Sequence, residues 1–162
     1  MDPLHVSMTG VRMGERFLQI GCDDKALLAG LAAKVGLSGS AAVAAFDAQS
    51  AARAMQIGSK VGALIDVQRV SDGSLPFDAD SVDMIVVDDT GGAFQRQSGD
   101  MRVAYLRDAR RIARAGGRIE IIEAEARPAG YDSARELTAA GFKPVRELAV
   151  RDGFRFTEGL RT

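Results

Sequence analysis

The chemistry this sequence offers lies in a set of carboxylates placed next to glycines and apolar runs. Gly21 closes one apolar run, residues 17–20, and Cys22, Asp23 and Asp24 follow it directly. Asp47 closes a second run, residues 41–46, with Ala48 next. A glycine turn between a strand and a helix presents backbone N–H groups and a helix N-terminus to a ligand. An acid at the end of the second strand can accept hydrogen bonds from a ribose hydroxyl pair. Asp47 lies about 26 positions after Gly21, close to the spacing of roughly 20 expected for such an acid. Asp88 and Asp89 close another run, 84–87, at the carboxyl edge where open α/β sheets bind ligands. Adjacent carboxylates there suit a general base, half a metal site or a helix cap. Asp23 and Asp24 also stand where a helix N-cap belongs. His5 is the only histidine, and a surface or packing role is expected for it.

The elements that must hold these residues alternate along the chain. Residues 1–15 form a short N-terminal extension, broken by Pro3, Gly10 and Gly14, with room for little more than a loop or a turn of helix. After the first strand, Leu27, Leu28, Leu31, Ala32 and Val35 recur at helical spacing. The run 41–46 is small and apolar throughout, as expected of a strand covered on both faces. A helix over 49–61 is expected to turn Ala52, Met55 and Ser59 inward, and 64–70 alternates as a third strand. The pattern over 101–115 predicts a helix with Tyr105, Leu106, Ala109, Ile112 and Ala113 inward and Arg107, Arg110, Arg111 and Arg114 on a solvated face. Gly116-Gly117 then turns into a fifth strand over 118–123. A helix over 132–140 precedes two strands, 144–150 and Phe154–Leu160, joined by Asp152-Gly153, a strong hairpin signal.

Composition narrows the classes. At 162 residues one domain, 1–162, is expected. A net charge of −1 gives no general pull toward nucleic acid or an anionic membrane. One cysteine excludes an internal disulfide framework and a Cys-rich metal site. No apolar run reaches the roughly 18 residues of a membrane span. The start, Met1-Asp2-Pro3, lacks the features of a signal peptide, so a cytoplasmic location is the default.

Three passages resemble the class I S-adenosylmethionine-dependent methyltransferases of the small-molecule type. Their first motif reads approximately apolar-apolar-acid-apolar-G-x-G-x-G; here it stands as Phe17-Leu18-Gln19-Ile20-Gly21-Cys22-Asp23-Asp24-Lys25. Only the first glycine is kept: Asp23 and Lys25 replace the others, and Gln19 replaces the acid. Asp72-Gly73-Ser74-Leu75-Pro76-Phe77 with Asp80, Ser81 and Asp83 resembles the family's D-x-x-x-L-P-F-x-D-x-S-F-D-x-V passage. Asp72 is one residue nearer to Leu75 than usual, so Ser71 or Asp72 takes the adenine-facing place. Ala115-Gly116-Gly117 resembles the family's P-G-G turn, and Gly141-Phe142 its "GF" element before the last strands.

The resemblance covers residues 16–160 and implies a Rossmann-like α/β fold: a seven-stranded, mostly parallel sheet of order 3-2-1-4-5-7-6 with strand 7 antiparallel. It implies S-adenosylmethionine as cofactor, bound by Gly21, Cys22, Asp23, Asp47, Ala48, Asp72, Gly73 and Asp88. No metal is implied, and the only candidates for a catalytic role are Asp88 and Asp89. Two readings of function remain open. One is a working methyltransferase on a small-molecule acceptor or an unknown macromolecule. The other is a degenerate methyltransferase-like domain serving as a partner or scaffold subunit, since Asp23 and Lys25 lack the backbone freedom of glycine. A dinucleotide dehydrogenase ranks below both, because G-x-G-x-x-G is missing. With little chain before the first strand, Met8, Val11 and Met13 are expected to be partly exposed, and association with a second copy or another protein follows.

Overall fold

The computed structural model describes residues 3–162. Seven strands, β1 (Arg16–Ile20), β2 (Ser40–Ala45), β3 (Ile65–Arg69), β4 (Val82–Asp89), β5 (Ala113–Ala124), β6 (Val145–Arg151) and β7 (Phe154–Leu160), form one sheet. Its order is β3-β2-β1-β4-β5-β7-β6, as the resemblance implied. β7 alone runs antiparallel to its neighbours, paired with both β5 and β6. The Asp152-Gly153 turn forces this reversal: both residues have positive φ, 55° and 84°, the geometry a two-residue hairpin needs.

Helices cover both faces, and strand parity shows why the central strands carry apolar side chains on both. Phe17, Met84, Val86 and Ile122 pack beneath α1 (Pro3–Thr9), α2 (Lys25–Val35) and α3 (Ala48–Val61). Leu18, Ile20, Ile85, Val87, Ile119 and Ile121 pack against α4 (Gly99–Ile112) and α5 (Ser133–Ala139). Successive side chains point to opposite faces, and here both faces are covered.

The inward faces predicted for α2 and α4 are the buried ones. That of α3 is rotated: Ser50, Ala51, Ala54, Ile57 and Gly58 are buried while Met55 is exposed. The buried stripe is made mostly of small residues, and the larger Met55 stands outside it. Two arginines of α4, and Arg114 at the start of β5, fasten loops to the body. Arg111 donates to the carbonyls of Leu75 and Phe77, Arg110 to that of Gly141, and Arg114 to Asp83.

The N-terminal segment does more than expected. α1 is a full two turns and lies on the sheet. Val11 is buried, against the expectation of partial exposure, while Met8 is half-buried and Met13 exposed, in keeping with it. His5 is buried edge-on to Phe154 with ring centroids 4.5 Å apart, so its role is in packing. Its Nδ1 also lies 3.5 Å from Asp24 Oδ2, which ties α1 to the start of α2.

Candidate functional site

β1 and β4 are neighbours at the place where the strand order reverses, the position at which open α/β sheets take their ligands. At the carboxyl ends of these strands the turn after β1 is held by backbone geometry that admits only glycine at its first position. Gly21 has φ +83°, and a Cβ there would stand 2.9 Å from the Asp88 carbonyl oxygen. Its N–H donates to Ala44 on β2 at 2.8 Å.

Asp88, fully buried at the end of β4, accepts the N–H groups of Asp23 and Asp24 on one oxygen, at 2.9 and 2.8 Å. Its other oxygen accepts the Thr90 hydroxyl at 2.7 Å and the Thr90 N–H at 3.2 Å. Burial pushes this carboxyl up to about 6, although those hydrogen bonds pull the other way. Asp23 answers from the opposite side: its Oδ2 accepts the N–H groups of Gly91 and Ala93 at 2.9 and 3.3 Å. The N-cap of α2 is Asp24, which accepts the Ala26 N–H at 2.9 Å. Of the two acids placed at the cap by sequence, only the second caps. Asp23 instead straps the β1 turn to the β4 turn.

Asp89 faces the other side of the sheet. One oxygen accepts the N–H groups of Phe94 and Gln95 at 2.9 and 3.1 Å, and the other accepts the Tyr131 hydroxyl at 3.3 Å. It lies in register with Glu123 on β5, and both are buried. Burial, with Glu123 and Asp23 nearby, pushes the Asp89 carboxyl up to about 7. Its oxygens are spent on capping the 90–97 turn and on Tyr131. Cys22 is buried and its thiol is pushed up to about 11, chiefly by burial, so the reactive thiolate is suppressed at neutral pH.

The second half of the edge is open. Asp47 is exposed and N-caps α3, with Oδ1 accepting the Ser50 N–H at 2.7 Å; Ala48 follows as the first helical residue. Hydrogen bonds from Ser50 hold this carboxyl below its usual range, so it is ionised at neutral pH and can accept from a vicinal diol. Phe46, beside it, lies 5.4 Å from Tyr105 and 6.4 Å from Phe94, centroid to centroid. Asp72 is exposed, accepts the Ser74 hydroxyl at 2.8 Å and is held below its usual range by that contact. Gly73 is buried, and a Cβ there would meet Ala104 at 2.9 Å, so this loop lies directly on α4.

Gly21, Cys22, Asp23 and Asp88 are therefore in mutual contact at the β1–β4 switch point. Asp47 and Ala48 stand beside them where β2 passes into α3, and Asp72 and Gly73 follow β3. Three residues of this edge were invisible in sequence. Arg53, from the second turn of α3, donates to the Cys22 carbonyl at 2.9 Å; Thr90 and Gly91 complete the hydrogen bonds above. An arginine on a helix and a polar loop after a strand are too common to be read as a site.

The model of the ubiE/COQ5 methyltransferase family matches residues 4–146. The chain belongs to that family. The family is one of class I S-adenosylmethionine-dependent methyltransferases, and the fold agrees with it. No curated protein matches the chain. Among solved structures it is similar to a SAM-dependent methyltransferase from Aquifex aeolicus, with TM-score 0.79 and 19% identity over 99% of this chain and 90% of that one. It is similar also to a complex between the Haloferax volcanii Trm112 methyltransferase activator and a putative methyltransferase, with TM-score 0.70 and 13% identity over 98% of this chain and 88% of that one. A third similar structure is the [4+2]-cyclase SpnF, with TM-score 0.65 and 20% identity over 90% of this chain; the chain spans 57% of the cyclase's length. At such identities the likeness shows the fold alone.

S-adenosylmethionine is the cofactor of the ubiE/COQ5 methyltransferases, and the donor set fits it. An exposed, ionised Asp47 suits the ribose diol, the half-buried Phe46 gives an apolar wall, and the Asp72–Gly73 loop lies within the same edge. Two N–H groups able to receive a carboxylate, those of Gly91 and Ala93, lie across the switch point.

Proposed function

We propose that the chain is a working S-adenosylmethionine-dependent methyltransferase whose acceptor is a small molecule or an as yet unidentified macromolecule. The observation that carries this reading is the exposed Asp47 carboxylate at the end of β2, beside a β1 turn that requires glycine at residue 21. When bound, the cofactor supplies an activated methyl group on its sulfonium, so the protein's task is positioning. In this reading Asp47 accepts the ribose hydroxyls, Phe46 and Gly73 border the base, and Asp72 faces the adenine amino group. Asp88 keeps the β1 turn rigid. Neither Asp88 nor Asp89 is assigned a proton transfer, because the oxygens of both already accept hydrogen bonds from the chain.

The test is calorimetry with S-adenosylhomocysteine. A charge-assisted hydrogen bond is worth roughly 1.5–3 kcal/mol, so Asp47→Ala is expected to weaken binding roughly 10- to 150-fold. An unchanged affinity in that variant, or no binding to the unaltered protein at millimolar ligand, would reject the reading. The degenerate-subunit alternative draws on one observation. The N–H groups of Asp23 and Asp24, in the turn where the family's glycines stand, are already consumed by Asp88.

The partner proposed is a second copy of the chain. Leu37 and Leu64 are 99% and 98% exposed. With Val61 they line a groove of about 660 Å³ at the amino-terminal edge of the sheet, away from the cofactor edge, and Met55 and Leu64 line a neighbouring one of about 380 Å³. One patch thus offers both protruding side chains and recesses, which suits a two-fold interface. Of the six large exposed apolar side chains among the described residues, four belong to it. Sedimentation at tens of micromolar is expected to show a dimer that Leu64→Asp dissociates. A monomer at that concentration would count against it. No helix among the described residues is long and apolar enough to cross a membrane.

A further inference from the structure

The strap formed by Asp23 spans the gap between the turns after β1 and β4, at the edge read above as the cofactor site. Its Oδ2 takes both the Gly91 N–H, at 2.9 Å, and the Ala93 N–H, at 3.3 Å. Gly92 between them has φ +84°, a conformation that turns successive N–H groups into a concavity for an anion. The approach is close: a Cβ on Gly91 would stand 3.1 Å from the Asp23 carboxylate, within the range where a neighbour must give. The contact is not needed to cap α2, since Asp24 does that. Nor does it hold the β1 turn in place, since the backbone N–H groups of Asp23 and Asp24 are fixed by Asp88. The Asp23 side chain can therefore swing away while its backbone stays.

We propose that the N–H pair of Gly91 and Ala93 is a seat for the carboxylate of the bound ligand's amino-acid tail, and that Asp23 fills it until the ligand arrives. The inference rests on the reading of this edge as a cofactor site. The seat already holds a carboxylate in this structure, so its chemistry is settled by an internal stand-in. It belongs to the turn after β4 and spans the gap to β1, where the strand order reverses. Ligands with an aminocarboxylate tail must displace Asp23, whereas ligands ending at the thioether need not. Asp23 therefore sets how well the site distinguishes the two.

The experiment compares S-adenosylhomocysteine with 5′-methylthioadenosine, which lacks the tail, by calorimetry on the full chain. A tethered carboxylate that fills the seat about nine-tenths of the time lowers apparent affinity about tenfold. Asp23→Ala is expected to bind S-adenosylhomocysteine about tenfold more tightly and methylthioadenosine within twofold of the unaltered protein. Asp23→Asn keeps an oxygen for the two N–H groups and should fall between, which guards against a folding defect in the alanine variant. Acetate supplies a readout free of the nucleoside. At tens of millimolar it is expected to shift the amide resonances of Gly91 and Ala93 in Asp23→Ala and to leave them in place in the unaltered protein.

Weaker binding of S-adenosylhomocysteine by Asp23→Ala, with methylthioadenosine unchanged, would mean that Asp23 holds the ligand's ammonium, and would overturn the proposal. Acetate that moves neither amide would overturn it as well. If neither nucleoside binds any variant, the cofactor reading falls, while the acetate titration still decides whether the seat exists.

Discussion

Asp88→Ala is expected to destabilise the protein by about 2–5 kcal/mol and to loosen the turn after β1. Three strong contacts end on this carboxylate: the N–H groups of Asp23 and Asp24 and the Thr90 hydroxyl. The carboxyl stands at about 6 instead of 3.8 even with these contacts made, so for the ionised form burial outweighs them by about 3 kcal/mol at neutral pH. The alanine variant escapes that cost but strands the Asp23 and Asp24 N–H groups and the Thr90 hydroxyl, at about 1–3 kcal/mol for each group left unsatisfied, and leaves a cavity. The stranded donors decide the sign. Asp88→Asn keeps one acceptor oxygen for the turn and should lose less than half as much. Urea unfolding of the two variants checks this, and an alanine variant as stable as the original would mean that water replaces the carboxylate at no cost.

The second large effect concerns Glu120, and its sign is the opposite. This residue is 1% exposed on β5, directly across from Glu158 on β7. Burial first, and then the Glu158 charge, push its carboxyl up to about 9, with Arg118 pulling weakly back. The folded state therefore holds a proton that the unfolded chain releases near its ordinary value of 4.5. Stability from this group is complete below that value and is lost as pH rises through about 9. Asp88 and Asp89 are raised as well, to about 6 and about 7, and add to the decline at lower pH. Glu120→Gln removes the buried charge and keeps the shape. It is expected to stabilise the protein at pH 8 by about 2–4 kcal/mol, less than the full 1.4 kcal/mol per pH unit because relaxation and water soften the burial. At pH 4.5 the same change should be nearly neutral. Thermal unfolding of both proteins between pH 4.5 and 9 measures it, and two parallel curves would show that Glu120 does not ionise on unfolding in that range.

The position of Glu120 illustrates a limit of reading the chain alone. In Arg118-Ile119-Glu120-Ile121-Ile122-Glu123 the strand is legible, but nothing local marks its glutamates as buried. In the fold β5 is covered on both faces, so its two glutamates, at positions of opposite parity, are both buried. Glu123 meets Ser133 at 2.7 Å, while Glu120 Oε2 finds no hydrogen bond.

The sequence by itself determined the strands, and its resemblance to the family implied their order. Apolar runs of strand length, separated by helix-length patterns, mark strands covered on both faces, and Asp152-Gly153 reverses the last one. It also put Gly21, Asp47 and Asp88 at the close of their strands, and the parallel sheet brings those ends to one edge. The tertiary structure alone decided how the carboxylates divide their work. Asp23 and Asp24 are adjacent in sequence with the same chemistry, yet one straps two loops together and the other caps a helix. Asp88 and Asp89 are likewise adjacent, yet the pleat sends them to opposite faces of the sheet. Asp23 meets Asp88 and the post-β4 turn across 65 to 70 residues, and Asp89 meets Tyr131 across 42. Contacts at such separations follow from loop paths that no local pattern encodes, and so the strands could be read from the chain while the use of its acids could not.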